Sequence, residues 1–282
     1  MKSIRLEILT LILFFGSSVL LSQNYLQSFD GVNIAYEEYG EGETTLFFVH
    51  CWMCNQDFWK NQINVFSKDY RVVTIDLAGH GKSGDERETW SVQSLAKDVT
   101  AVANQLGLEK IILICHSMGG PVSLFAAKML GDRVIGVVGV DNFQNVDAVA
   151  TQEQAEQFTA PMKADFKNAV HGFVTYRMFP AGSDSVLVKK IADSMSDGHK
   201  QAGIDLMIEM FTNTAKPLVE NLKVPLVVIY SDLFPIEYDA LDEAAADVDS
   251  IMINGVGHFP HMEKPDNFNT LLKRAVTGIV NK

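Results

Sequence analysis

The chain has 282 residues, 47% of them hydrophobic, which suits one large packed domain or two small ones. Its 23 Lys and Arg are outnumbered by 35 Asp and Glu, giving a formal net charge of -12. With no basic run to offset that balance, nucleic acid and anionic membrane surfaces are excluded as partners, since both need clustered cations; an uncharged or cationic small molecule is the easier one.

Lys2 and Arg5 precede an apolar run from Ile8 to Leu21, interrupted by Thr10 and by Gly16-Ser17-Ser18. The run is short of the about 20 residues a bilayer span needs. It fits the hydrophobic core of a secretory signal, with Ser22 as a small residue before the cut. Residues 1–22 are therefore expected to be a cleaved signal peptide, leaving a periplasmic or secreted protein without a stable membrane span. An uncleaved N-terminal anchor is the alternative. The cysteines are Cys51, Cys54 and Cys115. An odd number in an exported chain leaves at least one without an internal partner, so this is no disulfide framework.

Strand-length apolar runs then alternate with helical patterns. Val32–Tyr39, Thr45–His50, Arg71–Leu77, Lys110–His116, Val134–Asp141, Pro225–Ser231 and, more weakly, Ser250–Asn254 read as strands. Several are almost continuously apolar, as strands covered on both faces are. Val92–Leu106 places Val92, Leu95, Ala96, Val99, Val102, Ala103 and Leu106 on one helical face; Met118–Leu130 and Asn267–Val280 are similar. The pattern predicts an α/β fold with a mostly parallel central sheet flanked by helices. Residues 145–213 break the alternation. Phe158, Met162, Phe166, Val170, Val174, Ile191, Met195, Ile204, Met207 and others recur at helical spacing, with Pro161 as a break. This predicts an inserted helical cap over 145–213, with the core formed by 23–144 and 214–282. The cap methionines, Met162, Met178, Met195, Met207 and Met210, are either plain core or pocket lining.

The stretch ILICHSMGGP, residues 112–121, passes from a strand into a helix through small residues. A chain reversing so sharply holds Ser117 in a strained conformation and exposes its hydroxyl, and bulky residues two places either side would collide. Those places hold Cys115 and Gly119. The amide of Met118 falls at a helix N-terminus, where partial positive charge suits an oxyanion. Alone, Ser117 reads equally as a helix cap.

Together with His50-Cys51-Trp52, Asp76 to Ser83 (DLAGHGKS) and Gly257 to Pro265 (GHFPHMEKP), in that order, this stretch resembles the α/β-hydrolase fold family in its capped, esterase-like branch. The resemblance spans most of the chain beyond the N-terminal run. It implies Ser117 as nucleophile, His258 as general base, and the amides of Trp52 and Met118 as the oxyanion hole. Asp76, Gly79, His80 and Gly81 match a loop that is usually structural. The acid of the triad departs from the common pattern. Aligned on Pro235, the usual acid position holds Phe234, which cannot orient an imidazole. Some members carry the acid at the end of the strand before the cap, which here is Asp141. Asp141 is therefore expected to be the acid, with Asp232 the alternative.

Cys51 and Cys115 stand where such loops usually carry glycine. They read as two small buried thiols or, more sharply, as a pair close enough to bond after export. His116 reads as packing and His80 as a loop residue. His258 and His261 mimic a metal-ligand pair, but no carboxylate or cysteine set completes a metal site. The resemblance implies a serine hydrolase cleaving a small, mainly apolar ester through an acyl-enzyme, with no cofactor. A thioesterase, lactonase or carbon–carbon bond hydrolase would use the same triad. The fold also hosts ligand-binding signalling modules that turn over slowly or not at all.

Overall fold

A computed structural model describes residues 24–282; the expected signal peptide lies outside the described residues. The strands are β1 (Asn24–Gln27), β2 (Asn33–Tyr39), β3 (Thr44–Val49), β4 (Arg71–Ile75), β5 (Lys110–His116), β6 (Val134–Val140), β7 (Leu226–Ser231) and β8 (Val248–Ile253). They form one sheet in the order β1-β2-β4-β3-β5-β6-β7-β8. β2 pairs antiparallel with β1 and β4, and every other pairing is parallel. This is the mostly parallel, helix-flanked sheet that the alternation predicts. β1 was not among the expected strands. It is a four-residue edge strand whose residues alternate between half-buried and exposed, so it lacks the apolar run that marks the others.

The flanking helices are α1 (Lys60–Phe66), α2 (Val92–Gln105), α3 (Gly119–Leu130) and, at the end of the chain, α11 (Pro265–Val280). Successive strand residues point to opposite faces, so the continuous apolar runs supply two cores. Phe47, Val49, Leu113, Cys115, Val137 and Val228 pack with Leu95, Val99 and Val102 of α2 and Val122 of α3. Leu46, Phe48, Ile112, Ile114, Val138 and Ile229 pack on the other side with Phe66 of α1 and Phe268, Leu272 and Val276 of α11. Each such side chain, fully buried, contributes about 1.5–3 kcal/mol. Helix α2 starts at a capping box in which Ser91 and Ser94 satisfy each other's backbone N–H groups.

Between β6 and β7 the chain forms helices α4 (Gln152–Ala164), α5 (Phe166–Arg177), α6 (Ser185–Ser196), α7 (Lys200–Thr212) and α8 (Lys216–Glu220), with no strand. Thr151, Asp165, Asp184 and His199 cap four of them through side-chain acceptors. Pro161, expected as a break, lies inside α4, which ends three residues later. It falls in the last turn, where Asp165 N still donates to Pro161 O at 2.9 Å. Two short helices, α9 (Tyr238–Ala244) and α10 (Pro260–Glu263), complete the set. Among the described residues no helix is long and apolar enough to cross a membrane.

Candidate active site

The C-terminal ends of β3, β5 and β6 lie side by side, with Val49 opposite Cys115 and Cys115 opposite Gly139. The chain leaves these ends through His50, Ser117 and Asp141, so segments distant in sequence emerge at one edge of the sheet.

Ser117 links β5 to α3 with φ at 50°, in the left-handed region that a residue with a side chain enters only under strain. Its N–H donates to Val140 O at 3.1 Å, and its own carbonyl accepts from Gly120 N at 2.8 Å. The turn is tight enough that a Cβ on Gly119 would lie 2.6 Å from Val49 O and 2.8 Å from His50 O. Cys115, two residues before the serine, is fully buried; its thiol donates to Val138 O of the neighbouring strand at 3.5 Å. Burial pushes that thiol up to about 12, so it stays protonated and inert.

His258 sits between β8 and α10 and is 7% exposed. Its Nδ1 is 2.6 Å from Asp141 Oδ2; because a carboxylate only accepts, Nδ1 carries a proton there, which in the neutral ring leaves the lone pair on Nε2. Asp141 has φ at 46° and a second bond, from Ser231 N to Oδ1 at 2.8 Å. Burial pushes its carboxyl up, but the bonds and charge of His258 and the Ser231 donors outweigh it and hold the group below the usual carboxylate value. Asp232 is placed elsewhere. It is exposed and accepts from Gly255 N at 2.9 Å and Val256 N at 3.4 Å, tying β7 to the loop after β8. Phe234 packs edge-on against the His258 ring at 6.0 Å.

The backbone around His258 is held from three directions, and sequence reasoning missed each of them. Its N–H donates to Met178 O at the end of α5 at 2.8 Å. Its carbonyl accepts from His116 Nε2 at 2.6 Å. Glu263 accepts from Gly257 N at 2.9 Å and Phe259 N at 3.1 Å. His116 lies 142 residues from His258 and Met178 is also distant, so no local pattern signals those two, whereas Glu263 is four to six residues from the N–H groups it accepts from. His116 therefore both packs and fixes the His258 loop, and burial holds its imidazole neutral, well below the usual value.

Of the two readings of Cys51 and Cys115, the bridge between them is not formed, and the pair of buried thiols holds for Cys115 alone. Cys51 bonds to Cys54, and Cys115 is free. The turn after β3 brings Cys54 within 5.3 Å of Cys51, Cα to Cα, whereas the Cys115 sulfur faces β6. Trp52, inside the bridged turn, is buried, and its indole donates to Gly203 O of α7 at 2.8 Å. His50 is fixed as the Nδ1–H tautomer: Nδ1 donates to Cys51 O at 2.8 Å while Nε2 accepts from Leu77 N at 3.0 Å. Asp76 binds Gln56 N at 2.7 Å and Lys82 N at 2.9 Å. His80 Nδ1 donates to Ala78 O at 2.9 Å.

Ser117, Met118, Asp141 and His258 line one cavity of about 770 Å³ between the sheet edge and the helices α4, α7 and α8. Phe125, Phe143, Val149, Met210, Phe211 and Phe234 supply apolar wall. Trp52 is not on that wall, because its side chain is turned under α7. Of the five cap methionines Met210 lines the cavity, and the other four are buried in the cap itself. His261 is buried with its ring stacked on Trp59 at 4.4 Å. Among the described residues no group of three or more His, Cys, Asp and Glu is placed to hold a metal ion.

Residues 46–271 match the family model described as the alpha/beta hydrolase family. The chain is 27% identical over 258 residues to the dihydrolipoyllysine-residue acetyltransferase component of the acetoin cleaving system of Cupriavidus necator, covering 88% of this chain and 68% of that one. It is 25% identical over 257 residues to a bifunctional esterase/perhydrolase of Acinetobacter calcoaceticus, covering 84% and 92%. The fold is shared with a thermophilic esterase from Thermogutta terrifontis, with a TM-score of 0.81 at 20% identity over 92% of this chain and 99% of that one.

Proposed function

The chain belongs to the alpha/beta hydrolase family, and we propose that it is a serine hydrolase that cleaves a small, mainly apolar ester through an acyl-enzyme. Ser117 Oγ attacks the acyl carbon. His258 Nε2 takes the serine proton and returns it to the leaving alcohol; water then attacks the acyl-enzyme with the same base. Asp141 holds the ring in the productive tautomer and offsets the imidazolium charge. The Met118 amide, at the start of α3, meets the oxyanion. The Trp52 amide is the second donor, a reading supported by the close approach of Gly119 to the His50 carbonyl two residues before it.

The observation that carries this reading is the 2.6 Å contact between His258 Nδ1 and Asp141 Oδ2 on the wall of a cavity that Ser117 also lines. Resemblance to an esterase/perhydrolase over most of both chains supports the bond type. A panel of p-nitrophenyl esters of rising acyl length tests it, with Ser117→Ala and a fluorophosphonate probe. Turnover and labelling that both vanish in the variant support the proposal. An unlabelled wild-type protein that turns over no ester favours a ligand-binding module instead.

A further inference from the structure

The cavity wall has an uneven charge. Among the described residues two carboxylates line it, Asp141 and Glu209, and no lysine or arginine does. Asp141 is taken by His258 and Ser231. Glu209, on α7, is partly buried, and among the described residues its carboxylate has one hydrogen-bond donor, the N–H of Val92 at the start of α2, 2.7 Å from Oε2. No ion pair among the described residues engages it. Beyond the proposed triad of Ser117, His258 and Asp141, the remaining polar lining is uncharged: Asn142, Gln144, Asn145, Gln154, Asn213 and Thr214. Away from the reacting centre, such a wall can hydrogen-bond a polar substrate but offers no lysine or arginine as countercharge to an anion.

We propose that Glu209 gives this cavity a charge preference: esters bearing a cationic group, such as a quaternary ammonium, are favoured, neutral esters are accepted, and esters bearing a second carboxylate are rejected. This rests on the hydrolase reading above and names the substrate class of the same site. A carboxylate in a partly desolvated wall acts on a bound charge through a medium far less screening than water. The net charge of -12 adds the same bias at longer range, drawing cations toward the protein and repelling anions. The Val92 contact also makes Glu209 a latch between cap and core, so its side chain stays aimed at one place.

The test uses three p-nitrophenyl esters of matched length: the pentanoate (neutral), the glutarate half-ester (anionic) and the trimethylammonio-butanoate (cationic). Each kcat/KM is divided by the hydroxide-catalysed rate of the same ester, at low salt. The wild-type chain is expected to prefer cationic to neutral and neutral to anionic by about tenfold each. Glu209→Gln, which keeps an oxygen for the Val92 N–H, is expected to shrink the cationic-to-anionic ratio by about tenfold. Asn213→Lys, which leaves the latch intact, is expected to shift the ratio the same way. An anionic ester handled as well as the neutral one by the wild type overturns the proposal while leaving the hydrolase reading standing. So does a ratio unmoved by Glu209→Gln, even where Asn213→Lys shifts it. If the wild type turns over none of the three and escapes fluorophosphonate labelling, both readings fall.

Discussion

The imidazole of His116 donates from Nε2 to the backbone carbonyl of His258 at 2.6 Å, so the residue beside Ser117 also grips the loop that carries the proposed base. Met178 O takes the N–H of the same residue at 2.8 Å, which pins His258 between the sheet and the end of α5. A base held only by its ring would be free to swing; one held by its peptide groups keeps its distance from the serine. The pairing with His116 predicts that His116→Ala lowers kcat by about 10–100-fold with KM little changed, since misplacement of a reacting group costs on that order. His116→Gln, whose amide can reach the same carbonyl, is expected to restore most of the loss. Steady-state kinetics with one p-nitrophenyl ester check this, and equal losses in both variants would contradict it.

Much of this architecture is written in local pattern. Parallel strands buried on both faces must be apolar throughout, so TLFFV and IILIC announce themselves, whereas β1, at the sheet edge with half its residues exposed, does not. The Ser117 turn is legible because its backbone demands small residues at fixed places, and the close approach of Gly119 to β3 shows why. Asp141 is legible through the family resemblance, some members carrying the acid at the end of the strand before the cap; position after a buried strand alone does not choose it, because Asp232 follows buried β7 in the same way. The cysteine pairing is not legible. Spacing in sequence cannot say which way a side chain on β5 faces, and Cys115 faces β6. The partners of the His258 loop are equally hidden: Met178 meets it through a backbone carbonyl that carries no residue identity, and His116 through an imidazole 142 residues away in sequence.

Asp141 and Asp232 differ in what they hold. Asp141 orients an imidazole, while Asp232 staples two loops through backbone N–H groups. Asp141→Asn is expected to cut kcat by about 10²–10⁴-fold, because the amide no longer fixes the Nδ1–H tautomer. Asp232→Asn is expected to change kcat by no more than a few-fold. Parallel kcat measurements on the two variants decide, and the reverse order would contradict the assignment.

Four histidines buried in the neutral form should make the fold acid-sensitive. Burial lowers His50 to about 3, His80 to about 4 and His261 to about 3, and takes His116 well below the ordinary value. In the unfolded chain they protonate near their usual 6.5, so as pH falls through that value the unfolded state gains protons the folded state refuses. Their contribution is complete above about 6.5 and is lost progressively below it. Asp76 works in the opposite sense, since burial raises it to about 6 and its cost eases as it protonates. At about pH 5 each of the three histidines with a known value costs about 2 kcal/mol and Asp76 returns only about 1, so the histidines win. Urea unfolding at about pH 7 and about pH 5 is expected to show stability lower by several kcal/mol at the acid value. Equal or greater stability there would count against the buried neutral cluster.

The Cys51–Cys54 bridge and the buried Cys115 lead to a simple count. Protein unfolded without reductant is expected to show one reactive thiol per chain, mapped by peptide mass to Cys115, and three after reduction. Alkylation of Cys54 without reduction would show the bridge is placed wrongly.

The central claim is that Ser117 becomes covalently acylated during turnover. Rapid mixing of the full chain with p-nitrophenyl acetate, acid quenching and peptide mass spectrometry test it directly. The account predicts an acetyl group on the peptide carrying Ser117, accumulating within the first turnover and absent from Ser117→Ala. Ester hydrolysis that proceeds undiminished in that variant, or acyl found on another side chain, would contradict it.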